Sequence, residues 1–472
     1  MSSLVRPPHL GVRLHADLDR DLVPRRNATI EAHLRVEVTA DGAAAELPAV
    51  ELAVVIAVDV AEARRPAVRR ALPAALRALP DGISFTVLGG GGPAPVRCYP
   101  LGEAEWAVAD AREKRRAAFA MGAVPLHREG PRPAGYAAWV SRARALLAAR
   151  PLSVRHLVLI TDGSSAPGET SLQAELDACA GQFTCDVFAV GNDWSPDPLL
   201  ALAERLHGTA EFVEGGLTSA ITAAVQRLRR AHTPQLPIEV TARPTVRQVS
   251  LVEKAPRPHR LGGLPVPGRP YRWRFPAYQW QPGSYDYLLT LVADADTDPL
   301  ATDLLFAMVS VGDTHLPVTA RWHRPQQPSP GPAGGASARS GLSGLSVLSM
   351  NATTAMRAAL RKGLVALKEQ RRDEAEHLLG QAAQLATRYG VEWVLHEIRA
   401  VADIDDASAG RVRVRTTVDA HTLGPMILRA GSRPGGPLVD IAGHPPGPSC
   451  RHCRTPAGSE ARYCVACGEK LL

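Results

Sequence analysis

The sequence predicts an α/β protein. A doubly wound, mainly parallel sheet is inserted in a β-sandwich, and a small helical module and a cysteine-rich ribbon follow. Three observations carry that expectation. Leu52 to Val58 is an unbroken apolar run that stops at Asp59, as expected of a strand buried on both faces. From there to about residue 231, short apolar runs alternate with segments of helical periodicity, the pattern of βαβ units. Before and after this stretch the strands alternate apolar and polar residues, so each would bury only one face.

The half-buried strands begin with ATIEAHLRVEV, Ala28 to Val38. There Ile30, Ala32, Leu34, Val36 and Val38 would face a core, and Glu31, His33, Arg35 and Glu37 would face water. The same style returns at Ile238–Ala242, Val246–Val252, Tyr285–Val292, Phe306–Val311 and Leu316–Trp322, with Gly and Pro between the runs. One sandwich built from both segments accounts for them. Inside the insert, Val68, Leu72, Leu76 and Leu79 recur at helical spacing after Asp59, with Pro73 as a kink. Ile83–Leu88 reads as a strand closed by Gly89 to Gly92, with Val96–Leu101 as its hairpin partner. Ala107–Phe119 reads as a polar helix and Ala134–Ala149 as a second one. His156–Ile160 is another buried strand, running into Thr161-Asp162-Gly163. Leu172–Ala180, Pro198–Leu206 and Thr218–Arg229 read as helices, and Cys185–Val190 and Phe212–Val213 as strands. A Pro/Gly/Ser-rich linker follows at 326–350. In the helical segment, Leu360, Leu364 and Leu367, then Leu378, Leu379 and Leu385, then Val394, Leu395 and Ile398 form three stripes, with breaks near Arg371 and Gly390. Their spacing is similar to that of tetratricopeptide repeats. One hairpin cannot build a solenoid, so a packing or dimerising module is expected. Arg411–Val418 reads as a strand ahead of a loose segment.

At 472 residues the chain exceeds one core, and forty Gly with forty Pro point to many loops and linkers. The boundaries expected are 1–45 and 232–325 for the sandwich, 46–231 for the α/β domain and 326–350 for the linker. The helical module takes 351–405, a loose segment 406–448 and the ribbon 449–472. The net charge of +7 is spread along the chain, which favours solubility over a nucleic-acid surface. MSSLVRPPHL lacks the apolar core of a secretory signal, and no apolar run approaches the ~20 residues needed to span a bilayer. A cytoplasmic location and no membrane partner are expected. Cys98, Cys179 and Cys185 are scattered in apolar surroundings, which suits a reducing compartment.

Cys450, Cys453, Cys464 and Cys467 stand as two C-x2-C pairs, with Gly468 after the second. Two residues between cysteines let one tight turn present both thiolates to a tetrahedral ion, and a second such turn closes the set. Structural Zn2+ with no open position is therefore expected. This segment resembles the short zinc ribbons that close many bacterial regulatory proteins. Weaker candidates reduce to structure. Gly89 to Gly92 lacks the Lys and Ser/Thr of a phosphate loop. His127, His156 and His207 show no relay partner at useful spacing. Trp273, Tyr278, Trp280, Tyr285 and Tyr287 fit a sandwich core and rim.

The strand ending in Asp59, the Thr161-Asp162-Gly163 turn and the later CDVFAVGNDW together resemble a von Willebrand factor type A (VWA) domain over residues 46 to 231. The resemblance implies a Mg2+ site at the carboxyl edge of the sheet. In that family the site is built from Asp-x-Ser-x-Ser, a separate Thr and the Asp of Thr-Asp-Gly, and it captures a partner's carboxylate. Asp59 and Asp162 match the two aspartates, but Ala61 and Ala63 stand at the serine positions and Pro131 near the place of the Thr. Mg2+ demands six oxygens in near-octahedral order, so the site is expected to be metal-deficient. The alternative keeps Mg2+ on Asp59, Asp162 and Ser164 with water. The chain is accordingly expected to be a non-enzymatic interaction or scaffold protein with a protein partner and no small-molecule substrate. As the resemblance implies, it would work in a bacterial signalling or stress-response assembly. Nucleic-acid binding through the ribbon is a further alternative, since from Gly410 onward nine Arg and Lys face four Asp and Glu.

Overall fold

The computed structural model describes residues 10–18, 21–22, 28–40, 51–60, 65–90, 94–123, 134–150, 154–163, 169–191, 194–213, 215–229, 233–256, 259–296, 298–323 and 345–432. Two compact units divide them. One is Ala40–Leu236 with Ala277–Gln281, and the other is Gly11–Thr39, Pro237–Pro276 and Pro282 onward.

In chain order, β1 (Leu10–Leu18), β2 (Asp21–Leu22) and β3 (Ala28–Ala40) lead into the α/β unit. That unit runs β4 (Leu52–Asp59), α1 (Arg65–Arg77), β5 (Ser84–Gly89), β6 (Val96–Tyr99), β7 (Ala107–Val108), α2 (Ala111–Ala123) and α3 (Tyr136–Ala148). It continues with β8 (Val154–Thr161), α4 (Glu169–Cys179), β9 (Thr184–Ala189), α5 (Pro196–Arg205), β10 (Ala210–Phe212), α6 (Leu217–Arg229) and β11 (Thr233–Gln235). Then come β12 (Ile238–Ala242), β13 (Val246–Ala255), β14 (His259–Leu261), β15 (Leu264–Pro265), β16 (Arg272–Phe275), β17 (Tyr278–Trp280), β18 (Gly283–Ala293), β19 (Asp303–Val311) and β20 (Thr314–Trp322). The last elements are α7 (Leu345–Lys368), α8 (Arg372–Arg388), α9 (Glu392–Val401), β21 (Ala402–Asp406), β22 (Arg411–Val414) and α10 (Ala420–Ser432).

The α/β unit holds a seven-stranded sheet in the order β10-β9-β8-β4-β5-β6, with β7 also paired to β5. Its pairs are parallel from β10 through β5, while β6 and β7 run antiparallel. It is therefore a mixed, mostly parallel sheet. Strand β4 lies at its centre and is buried at every position, which explains the gapless apolar run. Leu52, Val54, Ile56 and Val58 share a core with Leu72 and Leu76 of α1 and Ile221 and Val225 of α6. Alternation then sends Ala53, Val55, Ala57 and Asp59 to the opposite face. The polar helix expected at 107–119 resolves into the short strand β7 and a helix starting at Ala111. Strands β11 and β17 pair with each other and belong to this unit.

In the other unit, one sheet runs β1-β3-β18-β13-β14 and another β15-β16-β12-β19-β20-β2. Eleven antiparallel pairs join β3 to β18, from Ala28 opposite Ala293 to Val38 opposite Gly283. His33, expected to face water, is buried. It lies 2.7 Å from the Asp286 carboxylate, and Arg35 donates to the same oxygen at 2.7 Å. A histidine with a carboxylate partner across the strand pair can be buried where a lone polar side chain would be expelled. The two segments expected to be loose differ from that expectation in part. Helix α7 starts at Leu345, inside the segment expected as linker, and Val347 and Met350 pack on Leu288. The strand expected from Arg411 is β22, paired with β21, but the segment after it is not loose: α10 follows the Asp419 carboxylate, which caps the His421 N–H at 2.9 Å.

Among the described residues, no helix is long and apolar enough to cross a membrane.

Candidate functional site

A parallel α/β sheet presents its ligand-binding loops at the carboxyl ends of its strands. Asp59 closes β4 there, and the register places it directly opposite Thr161, the last residue of β8. Neighbouring strands lie only ~4.8 Å apart, so the two side chains meet. The Thr161 hydroxyl donates to Asp59 Oδ2 at 2.8 Å, and the Asp162 N–H donates to the Asp59 carbonyl at 3.1 Å. Because a carboxylate only accepts, this commits the single Thr161 proton. The Tyr136 OH, 3.3 Å from Thr161 Oγ1, is then the donor to it, and the Gly163 N–H donates to the same oxygen at 3.1 Å. One proton and both lone pairs of that hydroxyl are thus engaged.

Helix α3 supplies Tyr136 from the sheet face opposite α1 and α6. Burial pushes the Tyr136 phenol well above its ordinary pKa, with the Asp59 and Asp162 carboxylates adding to the shift, so it stays a neutral donor. Asp59 and Asp162 are both buried, at 4% and 2% exposure. After them the chain turns at Gly163, whose φ of +85° is left-handed. A Cβ there would fall 2.5 Å from the Trp194 Cα, so the turn requires glycine on both counts. Trp194 is anchored by its indole N–H, which donates to the Gly191 carbonyl at 2.6 Å.

The structure thus joins Asp59 and Asp162 through a main-chain hydrogen bond and adds Thr161 and Tyr136 beside them. Neither had been read as a site residue from the sequence, although Thr161 stands in the motif and Tyr136 opens an expected helix. Ala61, Ala63, Ser164 and the segment 129–133 lie outside the described residues, as do Cys450, Cys453, Cys464 and Cys467. Among the described residues, no three His, Cys, Asp or Glu side chains converge as a metal-ligand set.

A second polar cluster lies on the other face. His156 had no visible relay partner in the sequence, yet the parallel register sets it opposite Thr184 and near Asp186. Its Nδ1 is 2.7 Å from Thr184 Oγ1 and its Nε2 3.3 Å from Asp186 Oδ2. Asp186 Oδ1 accepts the Thr209 N–H at 2.8 Å and hydroxyl at 2.9 Å, and Oδ2 pairs with Arg227 of α6. With His156 and Asp186 each 1% exposed, this group ties elements together and offers no way in for a substrate. Gly208 lets the Thr209 loop close on β9, since a Cβ there would overlap the Cys185 carbonyl at 1.7 Å.

Of the remaining candidates, His127, Gly91 and Gly92 lie outside the described residues. Gly89 ends β5, and His207 is buried at a left-handed φ of 53°. Trp280 is buried in the α/β unit, its indole N–H donating to the Leu236 carbonyl at 2.9 Å, and Tyr287 is buried in the other unit.

A family model of the von Willebrand factor type A domain matches residues 52–212. No curated protein matches the chain. Among solved structures, the chain is similar to a von Willebrand factor type A protein from Catenulispora acidiphila. The TM-score is 0.74 at 20% identity, covering 92% of this chain and 99% of that one. The ArnB paralog VWA2 from Sulfolobus acidocaldarius aligns with a TM-score of 0.47 at 8% identity, over 90% of this chain and 98% of that one. At these identities the first match establishes a shared fold.

Proposed function

We propose that this chain, which carries a von Willebrand factor type A domain at residues 52–212, is a non-enzymatic interaction or scaffold protein. Its carboxyl-edge site binds a protein partner without a metal. The observation that supports this reading is the buried Asp59 carboxylate, which is closed within the fold by the Thr161 hydroxyl at 2.8 Å. With alanine at 61 and 63, the hydroxyl-rich set that leaves a bound Mg2+ able to capture a carboxylate is missing.

On this reading the antiparallel sheets form a sandwich into which the VWA domain is inserted, and they present it to the partner. Cys450, Cys453, Cys464 and Cys467 hold one structural Zn2+, as their spacing requires. The setting is a reducing cytoplasm and a bacterial signalling or stress-response assembly.

Isothermal titration with Mg2+ and Mn2+ tests the metal. The expected result is no binding heat and no rise in melting temperature at millimolar ion, because an ion bound only by the native state must raise it. A micromolar affinity lost in Asp59→Ala would overturn the reading in favour of Mg2+ held by Asp59, Asp162 and Ser164. Elemental analysis of the purified chain should find about one zinc per molecule, lost on Cys453→Ser. A pull-down with the intact chain and with residues 449–472 removed separates partners of the VWA domain from those of the ribbon.

A further inference from the structure

Strand β6 and helix α2 form an apolar surface that the Asp59 site does not use. Among the described residues of the α/β unit, the large hydrophobic side chains left exposed are Val96, Leu101, Val108 and Phe119. Phe119 is 81% and Leu101 65% exposed. A cleft of about 620 Å³ lies between them, floored by Tyr99, Pro100 and Ala120 and flanked by Arg115 and Arg116. One exposed phenylalanine means little, but apolar side chains gathered around a cleft mark an interaction site.

The cleft is held open by its own bonds. Tyr99 stacks on Phe85 with ring centroids 5.7 Å apart, and its hydroxyl donates to Glu113 Oε2 at 2.6 Å. Arg97 donates to the Gly102 carbonyl across the turn that carries Leu101. A floor fixed in this way loses little freedom on binding.

Its charge selects the occupant. Helix α2 carries Arg112, Lys114, Arg115 and Arg116 against one acid, Glu113. Lys114 is turned away to Asp81 at 2.7 Å and the Leu79 carbonyl at 2.9 Å. Glu113 accepts from Tyr99 and from Arg116 at 3.0 Å, so its charge is matched within the fold. Arg115 forms no ion pair among the described residues, with only the Asp110 carboxylate acting on it from a distance, and stands exposed at the rim. A second copy of the chain is disfavoured, because a two-fold contact would set this basic patch against its own copy, whose one helix acid, Glu113, is already engaged within the fold.

We propose that this cleft docks a segment of a partner protein that carries an aromatic or long aliphatic side chain next to carboxylates. The apolar side chain enters between Leu101 and Phe119, and a carboxylate beside it meets Arg115. This contact involves no metal and none of the Asp59 edge, so the Mg2+ titration decides neither way for it.

A random dodecapeptide display library, selected on the full chain and depleted on full-length Phe119→Asp, provides the test. Phe119 is exposed, so the variant keeps its core, and circular dichroism confirms that. Enriched peptides should pair an aromatic or aliphatic residue with adjacent Asp or Glu. By fluorescence anisotropy, the best of them should bind about tenfold more weakly to Phe119→Asp. Arg115→Glu should weaken it about fivefold, with the loss shrinking at high salt. Enrichment without acidic residues, affinity unchanged in Phe119→Asp, or sedimentation showing a dimer that closes the cleft would each overturn the proposal.

Discussion

His156 and Thr161 lie on one strand, five residues apart, and the carboxylates they meet are held in different ways. Their separation is ~17 Å along β8, and the odd spacing puts them on opposite faces. On one face Asp186 receives a guanidinium, a main-chain N–H and a hydroxyl from α6 and the Thr209 loop. On the other face Asp59 receives the Thr161 hydroxyl, itself propped by Tyr136. Removing one partner of a buried charge pair strands the other, whereas removing a neutral hydroxyl loses one ordinary bond. The Asp186 group is therefore the stronger of the two attachments, and the bonds at the carboxyl edge are the weaker.

Asp186→Ala should give the largest effect, about 3–5 kcal/mol of lost stability, because it leaves Arg227 and the Thr209 N–H facing an empty pocket. Urea denaturation would show it as a lower midpoint at unchanged slope. A cost no larger than that of Thr161→Val would break the comparison. Next comes Gly163→Ala, expected to lose about 2–3 kcal/mol, because it combines a left-handed φ with a clash on the Trp194 backbone. Thr161→Val should cost about 1–2 kcal/mol, the price of one buried acceptor losing its donor.

The two regions also differed in how far the sequence revealed them. Asp59 was legible because a gapless apolar run ending in a carboxylate has few other readings. Thr161-Asp162-Gly163 could be paired with it because parallel strands put like ends together. Asp186 carries no local sign of its partners inside CDVFAV, although a charge in the middle of a doubly buried strand must have them. Its chief partner, Arg227, lies on a helix far along the chain, and no periodicity links the two. His33 and Asp286 were hidden in the same way, since cross-strand pairing over such a distance follows only from register. Helix α10 was masked by Gly424 and Pro425, whose breaker signal hid the Asp419 cap. Helix α7 was masked by its serines, which resembled the preceding linker, while Val347 and Met350 carried the packing. Local patterns gave the elements; what holds the polar groups came from contacts distant in sequence.

Tyr136→Phe is the mildest change and the sharpest in its pH dependence. At neutral pH it removes one long hydrogen bond, 3.3 Å, and should cost about 1 kcal/mol or less. The folded protein holds the Tyr136 proton more tightly than the unfolded chain does, because burial and the two carboxylates raise its pKa. A group with a raised folded pKa contributes its full share of stability below the unfolded value. That share disappears as pH climbs through the folded one. Wild type should therefore lose its advantage over Tyr136→Phe above about pH 10, where a free tyrosine ionises. Cys185, beside Asp186, obeys the same sign: burial first, and then the Asp186 charge, raise its thiol. Its alkaline loss should open earlier, from about pH 8.5, the ordinary value of a thiol. Urea titrations of wild type, Tyr136→Phe and Cys185→Ala between pH 7 and 11 would then place the two regions on different alkaline limbs. If the Tyr136→Phe difference stayed flat through pH 11, burial would not be holding the phenol neutral, and the neutral hydroxyl relay at the carboxyl edge would have to be abandoned.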